Sequence, residues 1–271
     1  MILEFTKMHG AGNDFVTLDN RDRHHDITPE IVARLCDRHY GIGADGLLLL
    51  EKPDRDGLHA RMVYYNSDGS RGEMCGNGAR CFTAFALSRG VGSPEGVAFM
   101  TDAGEIRATA SNGRYTIQMT RPVDTRLHLT VDLVNGPVTV HYTNTGVPHV
   151  VAFVPDIEAI EIRPQGAELR FHPSFAPKGA NANFAQIRND GRILLRTYER
   201  GVEDETLACG TGVTAAAILA HLVHGTPQPV TVQVRGGDVL TVDFEITERN
   251  AIENVRMTGP AQTVYTGTIE L

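Results

Sequence analysis

Met74-Cys75-Gly76-Asn77-Gly78-Ala79-Arg80-Cys81 and Ala208-Cys209-Gly210-Thr211-Gly212-Val213-Thr214-Ala215 decide how this chain is read. Each is a Cys-Gly-x-Gly followed by small or helix-forming residues. The two lie 134 positions apart (209 − 75), close to half of the 271 residues. The same offset carries Gly12 onto Gly146, Val16 onto Val150, Tyr64 onto Tyr198 and Asn66 onto Arg200. Several matches in one register indicate two copies of one structural unit, and so long a period excludes a solenoid. Two domain-sized halves facing each other are expected.

After the first box, Ala79 to Arg89 reads as a helix ending at Gly90. After the second, Val213 to His224 reads as a helix ending at Gly225. Glycine just past a helix is a common C-cap. Ala215, Ala216 and Ala217 keep the second helix thin, so other elements can approach it closely. Arg114 to Met119, Val138 to Tyr142, Ile193 to Tyr198, Val230 to Val234 and Val239 to Phe244 are rich in β-branched or aromatic residues and read as strands. Asn112-Gly113 reads as a hairpin turn, and Gly236-Gly237-Asp238 as another turn. The expected fold class is α/β, with two pseudo-symmetric domains formed by internal duplication. Each would be a curved, mostly antiparallel sheet wrapped around a central helix. The change of domain is expected near Met119. Gln262 to Leu271 returns to the first domain, because Pro260 breaks the chain just before it. The domains would then be residues 1–118 with 263–271, and 119–262.

Hydrophobic residues at 41% and charged residues at 21% are ordinary for a soluble globular chain. A formal net charge of −8 argues against nucleic acid or an anionic membrane as the main partner. Met1 to Gly10 has no apolar core of signal-peptide length, and no run of about 18 apolar residues appears anywhere. A cytoplasmic protein with no membrane span is the expectation. The four cysteines, Cys36, Cys75, Cys81 and Cys209, form no Cys-x-x-Cys pair. That speaks against a structural zinc site, and a reducing compartment speaks against disulfides. Inert buried thiols or catalytic thiols remain. Cys81 lies well into the first helix and Cys36 in another helical stretch, so both read as packed.

Cys75 and Cys209 differ from these by standing immediately before a helix. Backbone N–H groups there have no partner inside the helix, and the helix dipole adds positive potential. Both effects favour thiolate over thiol. The following glycines allow a ligand close to the backbone, and the same N–H groups can hold a carboxylate. Two such sulfurs on opposite faces of a carbon bearing a hydrogen could invert it. One thiolate would remove the proton, and the other thiol would return one to the far face.

At these residues the chain resembles diaminopimelate epimerase, over essentially its whole length. The resemblance includes Gly10-Ala11-Gly12-Asn13-Asp14-Phe15, both Cys-Gly-x-Gly boxes, Pro148-His149, and Glu199-Arg200-Gly201 leading into Glu205-Thr206-Leu207-Ala208-Cys209. It implies a diaminopimelate epimerase-like fold. It also implies interconversion of LL- and meso-2,6-diaminopimelate on the route to lysine and peptidoglycan precursors, with no pyridoxal phosphate and no metal. Carried over, Cys75 and Cys209 become the acid/base pair. Asn13, Asn66 and Asn181 become substrate-binding side chains, and the Gly76-Asn77 and Gly210-Thr211 backbones hold the reacting centre. Glu199 and Arg200 would hold the distant ammonium and carboxylate. His149 and Glu199 would adjust the thiol pKa values. Tyr265 matches a tyrosine of the dimer contact, so a homodimer is expected. Two departures are Gly46, where many relatives carry Gln, and Val147, where many carry Asn.

Three other readings remain open at this stage. A proline or hydroxyproline racemase would share the two-thiol design, although Glu199-Arg200 with Asn66 and Asn181 suits a second amino acid end that proline lacks. A thiol redox protein would cycle Cys75 and Cys209 through a disulfide. A binding module without chemistry would leave two opposed thiols unexplained.

Overall fold

The computed structural model describes residues 2–23 and 25–271. The chain forms two compact units, Met1–Gln118 with Gly259–Leu271, and Met119–Thr258. The change to the second unit falls at Met119, and the return falls at Gly259, against an expected 263.

In the first unit the order is β1 (Ile2–Gly10), β2 (Asn13–Asp19), α1 (Pro29–Cys36), β3 (Gly46–Glu51), β4 (Ala60–Asn66), β5 (Arg71–Gly72), α2 (Gly76–Ser88), β6 (Val97–Thr101), β7 (Gly104–Ser111) and β8 (Arg114–Gln118). Neighbouring pairs are antiparallel except for β2 with β3 and β4 with β6. α2 is wrapped by β1, β2, β3, β4, β7 and β8. Every residue from Gly76 to Thr83 is buried, as a helix enclosed on all sides requires. Phe82 of α2 tilts against Phe99 of β6 with ring centroids 4.7 Å apart. Burying each such ring stabilises the unit by roughly 1.5–3 kcal/mol. Asn112 and Gly113 both take positive φ, 50° and 71°, between the paired Ser111 and Arg114. Two successive left-handed residues match the twist of a tight hairpin.

In the second unit the order is β9 (Val123–Leu133), β10 (Gly136–Asn144), β11 (Pro148–Phe153), α3 (Ile162–Arg170), β12 (Asn181–Ile187), β13 (Ile193–Glu199), β14 (Asp204–Thr206), α4 (Gly210–His224), β15 (Val230–Val234), β16 (Val239–Ile246) and β17 (Ile252–Pro260). The parallel pairs are again two, β11 with β12 and β13 with β15. α4 is wrapped by β10, β11, β12, β13, β15 and β16. Ala215, Ala216 and Ala217 are fully buried, so the methyl-only face does let strands close on the helix. Gly225 takes φ 68° and caps α4, its N–H reaching the carbonyl of His221 at 3.0 Å. The helices α2 and α4 begin 134 residues apart (210 − 76), as the repeat requires.

A break does fall at Pro260, ahead of the last strand. Pro260 is the final residue of β17, and β18 (Gln262–Glu270) follows after one residue. β18 lies antiparallel to β1, from Ile2 opposite Glu270 to His9 opposite Gln262. β9 lies antiparallel to β10 in the same way. The first strand of each repeat is therefore paired with a strand encoded after the other repeat. Among the described residues no helix is long and apolar enough to cross a membrane.

Candidate active site

Cys75 is the N-cap residue of α2, with extended backbone (φ −136°, ψ 122°). Its Sγ lies 3.4 Å from the Gly78 N–H that points at it. The same Sγ lies 3.5 Å from Oδ1 of Asn13 at the start of β2. Asn13 is held by its Nδ2, which donates to Asp45 Oδ2 at 2.8 Å. Asp45 and Asp14 are in turn clamped by Arg38, at 2.9 Å and 3.0 Å. Lys7 pairs with Asp14 at 2.6 Å. Burial opposes ionisation of Asp14, but the hydrogen bonds from Arg38 and Lys7 prevail and hold its carboxyl at about 2. Asn13 thus stands on a fixed ionic base.

Asn77 is turned inward. Its Oδ1 accepts from Nη2 of Arg80 at 2.8 Å, and Arg80 is fully buried. The same guanidinium donates to the carbonyls of Gly76 at 3.4 Å and Pro260 at 3.1 Å. A buried guanidinium left unsatisfied would be expensive, so Arg80 ties the start of α2 to Pro260 within the first unit. With the Asn77 side chain engaged in this way, what Gly76 and Asn77 can offer a ligand is their backbone.

Cys209 is the N-cap residue of α4, also with extended backbone (φ −118°, ψ 108°), and is buried. Its Sγ lies 3.4 Å from Oγ1 of Thr211. Thr211 Oγ1 lies 2.9 Å from Nε2 of His149, which is fully buried on β11. Burial, with the Arg200 charge adding to it, pushes the His149 imidazole down to about 3. It is neutral, and its link to Cys209 is the Thr211 hydroxyl between them. Asn183 of β12 contacts Nδ1 of His149 at 3.1 Å. Gly212 is required here, because a Cβ on it would lie 2.6 Å from Asn183 Oδ1.

Glu199 and Arg200 stand at the end of β13, both half-buried. Thr206 donates to Glu199 Oε2 at 2.9 Å. Asn181, 3% exposed, accepts the Arg200 backbone N–H on Oδ1 at 2.7 Å and donates to the Pro148 carbonyl at 3.3 Å. Its amide therefore fixes the turn that carries Arg200. Asn66 ends β4, opposite Gly46 of β3. Its Nδ2 donates to Ser70 Oγ at 3.0 Å, and its Oδ1 accepts from the Tyr64 hydroxyl at 2.8 Å. Tyr265 lies on β18, opposite Lys7 of β1. It is 45% exposed and packs edge-on to Phe5 with centroids 5.8 Å apart.

Gly46 gains its meaning from Tyr64. A Cβ at Gly46 would lie 2.5 Å from the Tyr65 carbonyl and 2.9 Å from the Tyr64 ring, and one at Gly72 would lie 2.4 Å from that ring. The Tyr64 ring occupies space over two glycines and delivers its hydroxyl to Asn66. Tyr64 and Asn183 are the side chains that sequence reasoning missed. The repeat register flagged Tyr64 only as a match to Tyr198, and the paired glycines at Gly46 and Gly72 were the available signal. Cys36 and Cys81 are buried as expected, and burial pushes both thiols up to about 12.

The fold is shared with known proteins. A phenazine biosynthesis protein of the PhzF family from Bacillus anthracis superposes with a TM-score of 0.77 over 100% of both chains, at 14% identity. A hydroxyproline epimerase from Agrobacterium vitis, solved with trans-4-hydroxy-L-proline, superposes with a TM-score of 0.74 at 16% identity, covering 100% of this chain and 93% of its own. These likenesses establish the fold. In sequence, the chain is 43% identical to the diaminopimelate epimerase of Aquifex aeolicus over 98% of each chain. It is 39% identical to that of Chlorobaculum tepidum, over 97% of this chain and 100% of the relative. The profile of the diaminopimelate epimerase family matches residues 5–124 and 141–264, one segment for each repeat. By both measures this chain belongs to the diaminopimelate epimerase family of isomerases.

Proposed function

We propose that the protein interconverts LL- and meso-2,6-diaminopimelate by a two-base reaction, as a step in lysine and peptidoglycan precursor biosynthesis. The observation that carries the reading is the matched pair of cysteine N-caps, Cys75 on α2 and Cys209 on α4, each with a hydrogen-bonding group at its sulfur. On this reading one sulfur, as thiolate, takes the α-proton and becomes a thiol. The electron pair left on the α-carbon delocalises into the adjacent carboxylate. That carboxylate is held by the Gly76-Asn77 and Gly210-Thr211 backbones, whose N–H groups are preorganised for the developing charge. The other sulfur delivers its proton to the opposite face and becomes the thiolate. Protons and charge balance, and the product leaves with the two roles exchanged.

Glu199 takes the distant ammonium group and Arg200 the distant carboxylate. Asn13 and Asn66 contribute amides to the substrate, and Asn181 supports it through the turn bearing Arg200. His149 and Glu199 adjust the thiols. The chain acts in the cytoplasm as a homodimer with Tyr265 at the contact, and it needs no added cofactor. The test is incubation of the reduced protein with LL-diaminopimelate in deuterated water, followed by NMR and chiral chromatography, beside Cys75→Ala and Cys209→Ala. Deuterium at one α-position with meso product, lost in either variant, is expected. Turnover of proline stereoisomers with none of diaminopimelate would replace this reading by the racemase one.

A further inference from the structure

If the two sulfurs are an acid and a base, their hydrogen-bond partners decide which is which before substrate arrives. The decisive side chain on the Cys209 side is Asn183, fully buried on β12. Its Nδ2 lies 2.9 Å from the Val150 carbonyl and 3.1 Å from the Asn181 carbonyl. Its Oδ1 accepts from the Thr197 hydroxyl at 2.9 Å. Carbonyls only accept, so the amide cannot be reversed without setting oxygen against two oxygens. The NH2 group that those carbonyls fix also faces Nδ1 of His149, at 3.1 Å. Both hydrogens of that amide nitrogen are taken by the two carbonyls and the nitrogen itself cannot accept, so a proton on Nδ1 would face no acceptor. The imidazole proton is then on Nε2.

Nε2 has two polar neighbours. Asn181 Nδ2, at 3.5 Å, is itself a donor, because the Arg200 N–H and the Pro148 carbonyl fix that amide. Thr211 Oγ1, at 2.9 Å, is the acceptor. With its oxygen receiving the imidazole proton, the Thr211 hydroxyl has its own hydrogen available for Cys209 Sγ at 3.4 Å. A donor aimed at sulfur favours thiolate. At Cys75 the polarity is opposite. Asp45 fixes Nδ2 of Asn13, so it is the Asn13 carbonyl oxygen that faces Sγ at 3.5 Å. That oxygen also accepts from Asn77 Nδ2 at 3.5 Å, and a sulfur facing it can bond to it only as S–H. The Gly78 N–H at 3.4 Å is a donor to this sulfur and by itself favours thiolate, so the assignment turns on the side-chain partners, an oxygen acceptor at Cys75 against a hydroxyl donor at Cys209.

We propose that in the substrate-free protein Cys209 rests as the thiolate and Cys75 as the thiol, with Asn183 and Thr211 as the positioning residues that set this polarity. The assignment deepens the two-base reading and rests on it for its catalytic meaning. The charged groups about Cys75 are Arg80 on its own helix and the Lys7, Asp14, Arg38 and Asp45 cluster behind Asn13. On the Cys209 side the Arg200 charge acts on the neutral His149 of β11, and Glu199, at the end of β13, is held by Thr206. Both sulfurs stand at helix starts, so the dipole contribution does not separate them.

The test needs no substrate. The reduced protein is treated with iodoacetamide over a range of pH, and the alkylation rate at each cysteine is read by mass spectrometry. The pH midpoint is compared rather than the absolute rate, because Cys209 is the more buried. Cys209 should reach its plateau at lower pH than Cys75, by about one unit or more. Thr211→Val should raise the Cys209 midpoint and slow its alkylation at neutral pH roughly tenfold, and Thr211→Ser should restore both. Asn183→Leu should act in the same direction as Thr211→Val. A long-range proton–nitrogen correlation spectrum of the wild type should show His149 Nδ1 unprotonated, which decides the tautomer even where Asn183→Leu does not fold. A lower midpoint at Cys75, equal midpoints, an unmoved Cys209 in Thr211→Val, or a proton on Nδ1 overturns the assignment. Diaminopimelate turnover with Cys75 as the more acidic thiol would remove this polarity and keep the epimerase. The expected order without turnover would keep the polarity and remove the epimerase.

Discussion

Gly78 and Gly212 occupy the same place in the two repeats, third in α2 and third in α4, yet an added methyl group should have opposite effects. At Gly78 a Cβ would meet the Cys75 Cβ, a Leu48 methyl and the Phe15 ring, all at 3.4 Å, which is ordinary contact. Gly78→Ala should therefore be neutral, or stabilising by up to about 1 kcal/mol through helix propensity. At Gly212 the Cβ would stand 2.6 Å from Asn183 Oδ1 and 3.3 Å from His149 Cε1. Asn183 would have to retreat by more than half an ångström, and it is held by Thr197, Val150, Asn181 and His149 at 2.9–3.1 Å. Losing one or two of those bonds costs about 0.5–1.5 kcal/mol each, and overpacking about 1–3 kcal/mol. After the propensity gain, Gly212→Ala should be destabilised by about 1–3 kcal/mol. Urea unfolding of the three proteins, read as midpoints at constant slope, checks this. Equal midpoints for Gly212→Ala and wild type, or an equal loss in Gly78→Ala, would refute the packing argument.

Tyr64→Phe removes the hydroxyl that orients Asn66. Diaminopimelate KM should rise about two- to tenfold with kcat nearly unchanged, the worth of one hydrogen bond, and a steady-state kinetic comparison measures it. The Asp14 carboxyl sits at about 2 in the folded protein against 3.8 when unperturbed. Its folded value is depressed, so it contributes stability that is complete above the unfolded value and is lost as pH falls toward the folded one. Asp14→Asn should flatten the fall in stability over that window by at most about 2 kcal/mol, as measured by unfolding at successive acidic pH values. Tyr265→Asp should convert the proposed homodimer to monomer at micromolar concentration, which sedimentation velocity would show.

The two helices and the repeat were legible in the sequence, because a Cys-Gly-x-Gly before an apolar run leaves few alternatives. Both helices nevertheless begin three residues earlier than expected, at Gly76 and Gly210 rather than Ala79 and Val213. Glycine is a poor helix former, so propensity hides a start that the enclosing sheet imposes. β3, with its unbroken Leu47 to Leu50, carries no period to distinguish a strand from a buried helix. The cysteines were legible for the same reason as the helices. The roles of Tyr64 and Asn183 were not, because each depends on a neighbour across the sheet. Asn183 reaches His149 only through the parallel register of β11 and β12, 34 residues away in sequence. The break at Pro260 was legible because proline cannot donate to a ladder and β17 stops on it.

The pairing of β18 with β1 has a consequence for synthesis. A ribosome completes the residues of the second unit, through Thr258, before it has made the strand that closes the first. Although begun first, the first unit is finished last. Until Gln262 to Glu270 emerge, the outer edge of β1 offers open backbone donors and acceptors to any nascent strand nearby. A translation product that stops after Pro260 would thus carry every catalytic residue proposed here and still present a sticky edge. For this chain, the usual order in which the amino-terminal unit folds to completion first is reversed by topology.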